Sequence, residues 1–300
     1  MVKSKYIALY ICLCLCNCVN AQQPDTLRQK NYKPTLVTIA NAAVYTSGLY
    51  YLQFVWYKDY QTVPFNLYND LDGWLQMDKA GHVFSSYFIN KNAFHIYRNS
   101  GLTAKQALYF STITAFLYMT TIEIFDGFYE GYGFSASDVV ANTIGSTLFI
   151  VQQAVLDKEP VKLKFSYKES GYHSYYPPNL GNGGLETFFL DYNGHTYWIS
   201  ANLKDLGVLN KPNWLNIAMG YSANGMLAEF RNPKFYKRTP IADLPRYRQF
   251  FISFDLDCEK IKTKNKSIRA VLYAVNFIKI PLPTLQYNNI SGLQWHWFYF

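Results

Sequence analysis

Arg248-Gln249-Phe250-Phe251-Ile252-Ser253-Phe254-Asp255-Leu256-Asp257-Cys258 alternates with a period of two. Phe250, Ile252, Phe254 and Leu256 fall on one side of an extended chain. Phe251, Ser253, Asp255 and Asp257 fall on the other, so the run reads as a β-strand. Trp214 to Ser222 reads the same way, and Pro281-Leu282-Pro283 reads as the end of another strand. Glu186 to Ser200 shows two aromatic-rich runs about Asn193-Gly194, a dipeptide that predicts a tight hairpin. The chain closes on Leu293-Gln294-Trp295-His296-Trp297-Phe298-Tyr299-Phe300, read as a last strand. Residues 185–300 leave room for about eight strands of roughly 9 to 11 residues with short turns, enough for a curved sheet or a barrel.

Upstream of residue 158 the period changes to that of helices. Pro34 to Tyr57 carries no charge over 24 residues, long enough to span a bilayer and equally suited to a core helix. Residues 58–73 form a polar loop. Asp70 and Asp72 hint at a calcium loop, but that register puts Tyr68 and Lys79 where carboxylates belong, so the hint fails. A second helix is predicted from Trp74 to Arg98. Thr103 to Phe125 is a third, with Thr103 and Gln106 in the spacing of a capping box. Ser135 or Ser137 opens a fourth, continuing to about Leu156, with Asp138 in its first turn. The expected fold is therefore α+β: an N-terminal four-helix bundle followed by an antiparallel β unit, curved sheet or barrel. The divisions are 1–21 as a signal peptide, 22–157 as the helical domain and 158–300 as the antiparallel β domain.

The signal peptide is read from Lys3 and Lys5, the apolar run Tyr6 to Leu15, and Val19-Asn20-Ala21 as cleavage site. Cleavage after Ala21 starts the mature chain at Gln22 and removes Cys12, Cys14, Cys16 and Cys18. Lipidation of Cys18 is the alternative, although Leu15-Cys16-Asn17 lacks the small residues it requires. Cys258 is then the sole remaining cysteine, which excludes an intrachain disulfide and a zinc site of several thiolates. Its expected state is a buried small apolar residue.

Half of the residues are hydrophobic and 18% are aromatic, mostly Tyr and Phe. Such rings suit surfaces with one apolar and one wet side. Charge is uneven: residues 22–157 hold 8 basic and 10 acidic groups, residues 158–300 hold 18 and 10. The basic second half fits a membrane surface or anionic envelope lipid as partner, or ordinary solubilising charge. No nucleic-acid recognition motif is present. The glycines Gly127, Gly131 and Gly133 lack the Gly-Lys-Ser/Thr of a phosphate loop, and there is no nucleophile elbow.

Three polar signatures interrupt the apolar helices: Asp78-Lys79-Ala80-Gly81-His82, Glu123-Ile124-Phe125-Asp126-Gly127-Phe128, and Gly133-Phe134-Ser135-Ala136-Ser137-Asp138 running on to Asn142 and Gly145. Ionisable groups in such surroundings are costly unless paired, bound to an ion or used in chemistry. Asp78 and His82 are four apart, Glu123 and Asp126 three, Asp138 and Asn142 four, so each pair shares one helical face. Asp78, Lys79, His82, Glu123, Asp126, Ser137, Asp138 and Asn142 form the candidate polar cluster. Three readings fit: a structural network, a divalent-metal site with His82, Glu123, Asp126 and Asp138 as ligands, or an acid–base set. In the structural reading Lys79 pairs with a carboxylate, Asp138 caps its helix and His82 donates to Glu123.

At these signatures the chain resembles the YfiM-like family of predicted periplasmic lipoproteins. The residues are Trp74 to His82, Ile122 to Phe128 and Gly133 to Asn142. The long form of that family, found in Bacteroidetes, is similar also at Asp191 to Ser200, Trp214 to Tyr221 and Lys279 to Pro283. More distantly, Asp78-Lys79 with His82, Glu123, and Asp138 with Asn142 and Gly145 resemble the VanZ-like membrane family. The resemblance implies an exported protein of the periplasm or outer membrane of a Gram-negative bacterium and brings no assigned activity. The expected function is a non-catalytic, outer-membrane-associated envelope protein. The alternative is a metal-dependent hydrolase or transferase acting on envelope lipid or cell-wall material.

Overall fold

The computed structural model describes residues 34–300. The signal peptide, the fate of Cys18 and the lead-in before Pro34 lie outside the described residues. Helix α1 (Pro34–Tyr51) ends in a wide turn over Leu52–Trp56. It is apolar with none of its residues buried. Tyr57, just beyond it, is buried and stacks on Tyr129 with ring centroids 4.2 Å apart.

Helix α2 (Met77–Asn99) is the central element. It begins three residues later than expected. Trp74, Leu75 and Gln76 take positive φ and form a left-handed turn that sets the entry of the helix. Helices α3 (Ala104–Asp126) and α4 (Ala136–Val151) both pack against α2. Thr103 and Gln106 make both halves of the capping box expected for α3. Ser135, rather than Asp138, caps α4, its side chain accepting from the Asp138 N–H at 3.1 Å. Gly145 brings α4 against α2, where a Cβ would meet the Val83 carbonyl oxygen at 2.0 Å. The core between these helices holds Tyr87, Phe94, Tyr97, Ala107 and Phe149. The outward faces of α3 and α4 remain apolar, with Tyr109, Phe116, Leu117, Val140 and Ile144 exposed. Both are long and apolar enough to cross a membrane by length and composition.

Strand β1 (Val161–Tyr167) opens the sheet and is followed by short helices α5 (Pro177–Leu180) and α6 (Gly184–Leu190). The hairpin expected about Asn193-Gly194 is not formed. The aromatic run before it coils into α6, and Asp191 caps a single turn, Tyr192–Gly194, that leads into β2 (His195–Asn202). Then come β3 (Leu215–Asn224), the small ribbon β4 (Phe235–Tyr236) and β5 (Thr239–Pro240), and β6 (Tyr247–Leu256). Cys258 follows β6 and is buried, as expected. Helix α7 (Lys266–Val275) follows, and β7 (Thr284–Asn288) and β8 (Gly292–His296) complete the fold. Pro281 and Pro283 precede β7 instead of ending a strand, which leaves β7 free to donate its ladder hydrogen bonds. The last strand stops at His296.

The six long strands form one antiparallel sheet in the order β1-β2-β3-β6-β7-β8. It is an open sheet and not a closed barrel. Its polarity is inverted. Three cross-strand rows are apolar: Val161–Ala201–Ile217–Phe254, Leu163–Ile199–Met219–Ile252–Leu285–Trp295 and Phe165–Tyr197–Tyr221–Phe250–Tyr287–Leu293. The rows between them point the other way, as the pleat requires. They include Lys162–Ser200–Ala218–Ser253–Thr284–His296. That second face is largely buried: Lys164 pairs with Asp255 at 2.7 Å, both side chains fully enclosed. Trp198 and Phe251 fill the space beside them, against Tyr299. The apolar rows pack on the helices through β1, β2 and the nearer part of β3: Phe84 meets Phe165 and Tyr197, Leu163 joins Tyr87 and Phe149, and Tyr197 and Tyr221 pack about Met77. Farther along, Ile199, Met219, Ile252, Phe254 and Trp295 are exposed. Phe277 to Lys279 covers the free edge of β1, with Phe165 N–H donating to the Phe277 carbonyl at 2.8 Å and Lys279 N–H to the Phe165 carbonyl at 2.9 Å.

Candidate functional site

Asp78 and Lys79 lie in the first turn of α2, His82 one turn on. Glu123 and Asp126 are in the last turn of α3, Asp138 and Asn142 in the first two turns of α4. Packing both helices on α2 brings the three signatures to one end of the bundle.

Lys79 is the hub. Its Nζ lies 2.7 Å from Asp70 Oδ1, 2.8 Å from Asp78 Oδ2 and 2.7 Å from Asp138 Oδ1. Burial opposes its charge, but Asp78, Asp138 and Asp70 outweigh burial and raise its pKa. His82 sits behind it. Its Nε2 is 3.8 Å from Asp78 Oδ1 and 3.8 Å from Asp138 Oδ1. Its Nδ1 is 3.1 Å from Asn142 Oδ1 and 3.4 Å from Glu123 Oε1. Burial lowers the imidazole pKa, while Asp78, Asp138 and Glu123 raise it by more.

Glu123 is 1% exposed, and neither of its oxygens has a hydrogen-bond partner among the described residues. Burial pushes its carboxyl up to about 8 against the pull of His82. Asp138 is raised to about 6 by burial and by Asp78. Asp126 is raised to about 7 by burial, and its carboxylate accepts the hydroxyl of Tyr57. Asp78 goes the other way: burial raises it, but His82 and Lys79 hold it below the usual range. One donor atom from each of Asp78, His82 and Asp138 falls within 4.8 Å of the others, so these three can hold a cation. Asp126 accepts from the Tyr57 hydroxyl, and Glu123 faces His82 Nδ1. Ser137 donates to Asp70 Oδ1 at 2.7 Å, as does Ser135.

Two members of the cluster come from elsewhere. Asp70, in the loop before α2, reads in the sequence only as part of a calcium-loop pattern that fails. Tyr192, in the turn before β2, donates to Asp78 Oδ1 at 2.7 Å. No local spacing connects either residue to α2; only the tertiary fold does.

A second ionic cluster joins the helices to the sheet and is not foreseen from the sequence. Lys91 of α2 lies 2.8 Å from both Glu159 and Glu259, and Lys162 of β1 lies 2.8 Å from Asp257 and from Glu259. A signal was present: Lys162 and Lys164 alternate with Leu163 and Phe165, so two lysines share one face of a strand.

Residues 69–154 match the model of a family described as predicted periplasmic lipoprotein (DUF2279). The match covers α2, α3 and α4, the helices that carry the cluster. No curated protein and no solved structure matches the chain. The family description agrees with an exported protein of the periplasm or outer membrane.

Proposed function

We propose that the protein is a non-catalytic component of the cell envelope, seated on outer-membrane lipid. The inverted polarity of its sheet carries this reading. A soluble sheet buries its apolar face and wets its polar one. Here lysine–aspartate pairs are enclosed while Met219 is 58% and Ile252 53% exposed. Burying the exposed half of each such side chain in lipid contributes about 1 kcal/mol. The exposed faces of α3 and α4 are apolar too, and the basic second half favours anionic headgroups. From Phe250 to Phe254 the apolar band is roughly 14 Å tall, about half of a hydrocarbon core. It therefore fits shallow seating in one leaflet. Kinship with the long YfiM-like form, and more distantly with VanZ-like proteins, belongs to the same reading.

Fractionation of the envelope tests it. The protein is expected to stay with outer membranes through high salt, to leave in detergent, and to float with vesicles of phosphatidylethanolamine and phosphatidylglycerol. Recovery in the soluble periplasmic fraction, with no flotation, would refute the reading.

A further inference from the structure

The geometry around His82 is more than an ion-pair network needs. Its Nε2 faces two carboxylate oxygens, Asp78 Oδ1 and Asp138 Oδ1, at 3.8 Å each. These atoms are too far apart for good hydrogen bonds. Three donors at such separations surround a point roughly 2.2 to 2.5 Å from each, near the bond lengths of a first-row divalent ion to carboxylate and imidazole. We infer that Asp78, His82 and Asp138 hold one divalent transition-metal ion of the zinc or manganese class.

Glu123 supplies an independent observation. It is 1% exposed, its two oxygens lack hydrogen bonds among the described residues, and it is aimed at His82 from the side opposite the two aspartates. A metal on Nε2 keeps the proton on Nδ1, where Asn142 Oδ1 at 3.1 Å and Glu123 Oε1 at 3.4 Å can accept it. Metal-bound histidines are generally oriented this way by a carboxylate or carbonyl behind them. An ion on Nε2 would fix the Nδ1–H that faces Glu123. Charge points the same way. Asp70, Asp78, Glu123, Asp126 and Asp138 gather around one ammonium and one imidazole. Lys79 takes Asp78 Oδ2 and shares Asp138 Oδ1, while Asp78 Oδ1 is turned toward His82 and accepts from Tyr192. A neutral imidazole and two carboxylates suit zinc or manganese better than calcium, which takes oxygen alone.

The test uses the full mature protein, stripped with a chelator and titrated calorimetrically with Zn²⁺ and, separately, Mn²⁺. One saturable ion per chain is expected. His82→Leu and Asp138→Asn should each weaken binding by about 100-fold or more, and Glu123→Gln by about 10-fold. Glu159→Gln, in the second ionic cluster, should leave it unchanged. Circular dichroism establishes that each variant is folded. Where a variant is not, the wild type decides: pulsed electron paramagnetic resonance of bound Mn²⁺ should show coupling to an imidazole nitrogen. No saturable binding by the wild type, bound Mn²⁺ without that coupling, or full affinity in folded His82→Leu would overturn the inference.

Discussion

At the scale of single residues, close approach decides more than composition does. Gly145 exists where α4 touches the backbone of α2, and a methyl group there would collide with the Val83 carbonyl and Ser86 Oγ. Gly145→Ala is expected to lower stability by about 1 to 3 kcal/mol through overpacking, read as a shift in denaturant midpoint with an unchanged slope. Glu123→Ala leaves the Nδ1 side of His82 with Asn142 alone and opens a hole at a buried position. A loss of about 1 to 3 kcal/mol is expected, measured by urea unfolding; no loss would show that Glu123 does not support His82. The helical spacings made Asp78, His82, Glu123, Asp138 and Asn142 legible as neighbours, because each pair lies on one face. Asp70 and Tyr192 were illegible as members because they arrive from a loop and from the β unit, distant in the sequence.

At the scale of elements, caps and alternation were readable and context-dependent coils were not. The Thr103–Gln106 box is local chemistry, and Thr103→Ala should cost about 0.5 to 2 kcal/mol by thermal or chemical unfolding. The alternation of β6 likewise fixes its own two faces. It says nothing about which face is buried, since that depends on what packs there. Residues 184–190 pass for a strand in the sequence but form a helix, and Asp191 caps the turn that follows by accepting from the Asn193 N–H. The junction between α2 and the sheet titrates. Burial would raise the Glu159 pKa, but Lys91 and His95 hold it down at about 2, below the ordinary glutamate value of 4.5. A depressed carboxyl contributes stability in full above its unfolded pKa, and that contribution disappears as pH falls toward the folded value. Wild-type protein should therefore lose stability between about pH 4.5 and 2. Glu159→Gln should be less stable at pH 7, by roughly 3 kcal/mol, and show a shallower decline in acid. Equal acid slopes in the two proteins would remove Glu159 as a cause.

At the scale of the whole molecule, the order of helices then sheet was visible as a change of period near residue 158. The openness of the sheet was not, because strand number and closure depend on pairing between distant segments. Residues 185–300 have length for about eight strands, and α6 and α7 occupy part of that stretch. The exposed apolar rows make a direct prediction. Met219→Gln with Ile252→Thr replaces two exposed side chains that face each other on neighbouring strands by neutral polar ones, so the folded stability should change by about 1 kcal/mol or less. Vesicle flotation should fall steeply in the same variant. Undiminished flotation would mean that lipid does not meet this face.

The strip Phe277 to Lys279 lies along the edge of β1, more than a hundred residues away in the chain. It carries a consequence for the order of assembly. Until that strip has been made and delivered, the first strand has a row of unpaired amides, and such a row invites pairing with other chains. Closing that edge needs one long loop closure within the β unit, which chain entropy makes slow. A chain that crosses a membrane before it folds must hold this edge unmatched throughout its passage. The interval between export and arrival of residues 277–279 is then the window in which a periplasmic chaperone has most to protect.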